Sequence, residues 1–135
     1  MKKDINPPSI KDVAVAVVLE KNELDQDIWN VYLINLQDQD LEGVLVSSKG
    51  YFTDLKNQET KTSVLRHSIG TVKAKSAQLI EPIMENLFTL HNEYWISFFV
   101  DNQMLDKKYI FLAETIKEEN FINIPTLNKQ GVMIK

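Results

Sequence analysis

The sequence predicts a mainly β domain: an antiparallel β-sandwich of about seven strands with one or two short helices. Short runs rich in Val, Ile, Tyr, Phe and Trp recur along the chain, bounded by Asp, Asn, Gly and Lys clusters. Their spacing suits hairpins joined into two packed sheets, with a closed barrel as the alternative. The one stretch with helical apolar spacing has a proline inside it.

Residues 1–11 read as an arm, because Pro7-Pro8 forbids helix and favours an extended entry. Residues 12–135 read as one domain. Its first strand is the β-branched run 13–19, and its second spans 28–36, closed by polar residues 37–40. The third covers 44–48 and ends at Lys49-Gly50. A polar loop fills 53–61, and a fourth strand follows over 62–69, with Gly70 permitting a turn.

Within 76–90, Leu79, Ile80, Ile83, Met84, Leu87 and Phe88 recur at helical spacing, and Ser76 offers a cap. Pro82 inside such a helix would cost about 3 kcal/mol. A strand over 77–83 and a helical turn over 84–89 are therefore expected. The aromatic strands 94–100 and 108–113 form a hairpin across 101–106. A short helix over 116–124, ending before Pro125, and a final edge strand over 131–134 complete the prediction.

At 135 residues the chain is one domain's length and builds a core without staples. The absence of cysteine excludes disulfides, thiolate metal sites and a Cys nucleophile. Net charge is −4 and Arg66 is the single arginine, so a phosphate-backbone surface is not expected and nucleic acid is not a predicted partner. The apolar run 13–19 falls far short of the roughly 20 residues a membrane helix needs. No membrane partner is predicted, and a cytoplasmic location is the expectation.

Two segments sharpen the fold class. Asn35, an acidic turn and then Leu41-Glu42-Gly43-Val44 resemble the second-to-third strand passage of immunoglobulin-like domains. The stretch 68–76 is similar to the turn those domains place in mid-chain. The resemblance spans about residues 12–113 and implies an immunoglobulin-like sandwich, without the Cys–Trp–Cys signature of antibody domains. The chain also resembles small uncharacterised bacterial single-domain proteins, a likeness that carries no function with it.

Several strands are apolar on both faces. Trp29, Val31 and Leu33 alternate with Ile28, Tyr32 and Ile34, and Tyr94, Ile96 and Phe98 with Trp95 and Phe99. Segments 84–90 and 116–124 are the expected cover for the second faces. A protein partner or a second copy of the chain is the alternative cover. Trp29, Trp95, Met104 and Leu105 are the candidate partner-binding residues, the last two placed at the tip of the 101–106 connection.

Acids gather in turns expected to meet at one end. Asp38, Asp40, Asp101 and Asp106 are the candidate ligands of a calcium site, since calcium takes six to eight oxygens. Lys73 and Lys75, on the middle turn, would neutralise them instead. Tyr32, Trp95, Phe98 and Tyr109 are candidate linings of an apolar cavity. His67 reads as a core or boundary histidine, with Arg66 facing the other way, and His91 reads as a turn residue. Ser47-Ser48-Lys49-Gly50 holds the elements of a Ser–Lys dyad, but a turn explains it better. No nucleotide, hydrolase or zinc-protease motif occurs. A non-catalytic protein-interaction module without a cofactor is the expected function, and a small-ligand or calcium-binding domain is the alternative.

Overall fold

The computed structural model describes residues 10–135. Most of the expected arm lies outside that range, and Ile10, near its end, packs against the core. The domain is mainly β, with two antiparallel sheets and two isolated 3-10 turns, an arrangement consistent with a β-sandwich. Among the described residues ten strands are formed where about seven are predicted.

Sheet A follows the order β6-β2-β1-β10-β9, formed by Ser76–Pro82, Asp27–Asn35, Val13–Lys21, Lys129–Ile134 and Ile122–Ile124. Sheet B is built on β3 (Leu41–Thr53), which pairs on one side with β7 (His91–Val100) and through it with β8 (Gln103–Phe111). The other side of β3 is shared by β4 (Glu59–Lys61) and β5 (Leu65–Val72). The first 3-10 turn is Glu85–Thr89 and the second is Glu118–Asn120. No helix among the described residues is long and apolar enough to cross a membrane.

Alternation along the strands sets the core. Val13, Val15 and Val17 face Val44, Val46, Ile96 and Phe98 across the sandwich in one buried cluster. Tyr109 reaches from β8 to donate its hydroxyl to the Val13 carbonyl at 2.8 Å, so the polar end of a buried ring is satisfied on the opposite sheet. Burial pushes the Tyr109 phenol well above its ordinary range, and it remains a donor.

The other face of sheet A is apolar as well. Ala14, Ala16, Val18, Ile34 and Ile124 are fully buried there, beside Leu36, Leu127 and Met133. Glu20 anchors the polar end of that layer, accepting from Asn30 at 2.8 Å, from the Tyr32 hydroxyl at 2.6 Å and from Lys129.

Several boundaries differ from the sequence reading for identifiable reasons. Lys49-Gly50 does not turn, and β3 runs through it. The Gly50 N–H donates to Thr62 Oγ1 at 2.8 Å, while its carbonyl accepts from the Thr62 N–H at 2.9 Å. Gly70 lies inside β5 with φ +87°, opposite Val44 where the β3 register shifts, so its freedom serves a bulge. The expected polar loop 53–61 contains β4. The expected helix 116–124 resolves into a 3-10 turn followed by β9. The last strand, β10, is interior to sheet A, since it pairs with β1 on one side and β9 on the other. Gly131 permits that closeness: a Cβ there would stand 2.3 Å from the Val17 carbonyl oxygen.

The β7–β8 connection is tighter than predicted. Val100 pairs with Gln103, leaving Asp101 and Asn102 as a two-residue turn with φ of 52° and 62°. That is the left-handed pair a twisted hairpin requires. Met104 and Leu105 therefore belong to β8 rather than to the tip.

Candidate functional site

Three parts of the molecule bear on function. The first is the end where the turns meet. Gln39 donates to Asp101 at 3.0 Å, so the 37–40 and 101–102 turns do converge. Asn35, fully buried, holds the middle turn to them by donating to the Gln39, Val72 and Lys73 carbonyls. The acids have their own partners. Asp40 accepts from the Ala74 N–H at 2.9 Å and pairs with Lys73 at 3.3 Å. Asp38 pairs with Lys75 at 3.5 Å. Asp106 lies on β8 opposite Ser97. Among the described residues, no group of three or more His, Cys, Asp or Glu side chains could hold a metal ion.

The second is the outer face of sheet B, where alternation leaves one row of each strand in solvent. Arg66, Ser47, Trp95 and Lys108 stand abreast across β5, β3, β7 and β8. The next row is Ser68, Leu45, Ser97 and Asp106, and beyond it Phe99 pairs with Met104. Trp95 is 47% exposed and Met104 59%, with Leu45 and Phe99 comparably open. The Lys108 ammonium lies 5.0 Å from the Trp95 ring centroid, a cation–π contact that holds the indole against the sheet.

The other two candidate contact residues sit elsewhere. Trp29 is covered by the expected segments: Phe88 meets it edge-on at 5.0 Å and Phe121 at 5.8 Å. Its indole N–H donates to Glu85 at 3.0 Å. Leu105 is half-buried against the main core. The candidate cavity linings are likewise dispersed. Phe98 and Tyr109 are core, Tyr32 lies on the outer layer of sheet A, and Trp95 lies on the outer face of sheet B.

The third is a polar cluster at the seam where β5 of sheet B approaches β6 of sheet A. Glu81, on β6, has a side chain only 11% exposed. His67 Nε2 stands 2.6 Å from Glu81 Oε1. The Ser48 hydroxyl lies 3.0 and 3.1 Å from the two carboxylate oxygens, and the Tyr94 hydroxyl donates to Oε2 at 3.2 Å. Burial first, and the carboxylate second, push the Tyr94 phenol far upward, so it stays protonated and keeps donating. Ser48 and His67 both bond to Glu81, and the hydrogen bonds of the site run to that carboxylate. His91, by contrast, accepts the Ala113 N–H on Nδ1 at 2.9 Å and serves the backbone.

The seam cluster escaped sequence reading because its members come from four strands and share no spacing. One signal was present: Glu81 is a lone acid between Leu79-Ile80 and Pro82-Ile83.

Fold and sites together define a two-sheet β domain in which sheet A buries apolar residues on both faces and sheet B carries an open aromatic face. Comparison with protein-family models, with curated proteins and with solved structures finds no match to the chain.

Proposed function

We propose that this domain is a non-catalytic protein-interaction module, docking through the outer face of sheet B. The carrying observation is an asymmetry. Sheet A buries apolar residues on both faces and exposes only Leu79 and Ile122 of its large apolar residues, on its edge strands, whereas sheet B buries one face and leaves Leu45, Trp95, Phe99 and Met104 together in solvent. Aromatic and methionine side chains on a rigid sheet are the usual centre of a protein contact.

The flanking charge favours one class of partner. In a chain of net charge −4, Arg66 and Lys108 bracket Trp95, with Asp106 in the next row. An apolar ridge edged by carboxylates complements that pattern. Contact through the face is favoured over strand addition, because Lys107 and Lys108 occupy the open edge strand β8. The immunoglobulin-like likeness of residues 12–113 belongs to the same proposal, as a scaffold rather than a source of function. A cytoplasmic setting belongs to it as well.

The test compares the wild-type chain with a Trp95→Asp, Met104→Asp double variant in native capture from host lysate, read by mass spectrometry. A stoichiometric partner lost in the variant is the expected result. Capture of the bait alone, or of the same partner by both proteins, overturns the proposal. A wild-type dimer split by the variant would keep the surface and make the occupant a second copy.

A further inference from the structure

Beside the seam cluster lies a half-open cleft of about 340 Å³, within the size range of small-molecule sites. Ser48, Glu81 and Tyr94 line its floor, and Leu65, Pro82, Ile83, Met84 and Leu87 supply its apolar walls. We infer that this cleft binds a small organic cation, specifically a primary ammonium on a short apolar body.

The inference follows from which side-chain hydrogen-bonding groups remain available. The Ser48 and Tyr94 hydroxyls already donate to Glu81. The Asn92 amide donates to the Leu87 and Leu90 carbonyls. Thr62 donates to the Ser63 carbonyl. Ser63 and Lys49, the other lining donors, make no hydrogen bond to Glu81, and the Lys49 ammonium leans to Glu93 at 3.9 Å. What the floor presents to a ligand is therefore acceptor capacity: the carboxylate's remaining lone pairs, the Ser48 Oγ and the Tyr94 phenol oxygen. The Ser48 and Tyr94 oxygens each lie within 3.2 Å of a carboxylate oxygen. An ammonium carries three donors for the three acceptors. Hydrogen bonds between an ammonium and a carboxylate are charge-assisted, and a site partly closed to water strengthens them. An anion of the same shape would be brought against the Glu81 carboxylate at the floor, and a neutral alcohol brings a single proton.

The experiment is an amide NMR titration of the intact chain with n-butylammonium and benzylammonium, set against butyrate, benzoate and n-butanol at matched ionic strength. The two ammonium ions are expected to give saturable shifts at Leu65, Ile83, Met84 and Leu87. Their affinity should exceed that of the alcohol by about tenfold or more, the worth of a charge-assisted bond. Glu81→Gln, close in size, should lose that advantage. Met84→Trp leaves the cluster intact and fills the mouth, so it should block binding even if Glu81→Gln proves unfolded. Absent saturable shifts, equal response to the anions or the alcohol, or undiminished binding in folded Glu81→Gln or in Met84→Trp would overturn the inference.

Discussion

Glu81 on β6 and His67 on β5 meet at 2.6 Å, and their contact ties an edge of one sheet to an edge of the other. The carboxylate also receives Ser48 and Tyr94. Glu81→Ala would leave all three partners short of an acceptor in a largely buried place. The expected loss is about 3 kcal/mol. Tyr94→Phe, which removes one bond and no volume, should cost about 1 kcal/mol. Urea unfolding of both variants checks the ranking; equal costs would show that the cluster contributes as packing alone.

The two tryptophans should separate cleanly. Trp29, enclosed by Phe88 and Phe121 and bonded to Glu85, belongs to the folded core. Trp29→Ala is expected to cost about 3 kcal/mol. Trp95→Ala on the open face should cost less than about 1 kcal/mol, the worth of its contact with Lys108 and its neighbours. Melting temperatures of the two variants decide; similar losses would place Trp95 in the cooperative core.

Gly131→Ala should be among the most damaging small substitutions in the chain. Its methyl would press on the Val17 carbonyl oxygen and the Val18 Cα, both backbone atoms that cannot rotate aside. About 3 kcal/mol is expected. A variant as stable as wild type would show that β1 and β10 can part without penalty.

Glu20 gives the domain a stability term that depends on acidity. Burial works to raise its carboxyl pKa, but hydrogen bonds from Lys129, Tyr32 and Asn30 outweigh it, and the net direction is down. A carboxyl held lower in the folded than in the unfolded chain stabilises above its unfolded pKa, roughly 4.3. That contribution disappears as pH falls through the folded value. Wild type should therefore melt above Glu20→Gln at pH 7, and the gap should close below about pH 4. A gap that is constant with pH would contradict the assignment.

Strand identity was legible where short β-branched or aromatic runs are bounded by polar turn residues, as in β1, β2, β7 and β8, because such side chains pack well on a pleated surface. The proline at 82 correctly separated β6 from the 3-10 turn after it. Turn composition misled at Ser47 to Gly50, where β4 and β7 pair with β3 and carry it past residues that would break a free-standing strand. Of the candidate contact residues, Trp95 and Met104 stand on one open face. Trp29 does not, because its cover comes from segments distant in sequence. The seam cluster was illegible for the same reason. Ser48, His67, Glu81 and Tyr94 meet only after both sheets have formed.

The pairing of Val15 with Ile134 sets the order in which this fold can be completed. During synthesis β1 can zip onto β2 as soon as both have left the ribosome, but its opposite edge must wait for β10. Through that interval a valine-rich backbone edge stands unsatisfied, open to pairing with another nascent chain. Proteolytic loss of the final strand would restore the same hazard in the mature protein. Completion of sheet A thus waits on one short segment far along the chain from the strand that it covers.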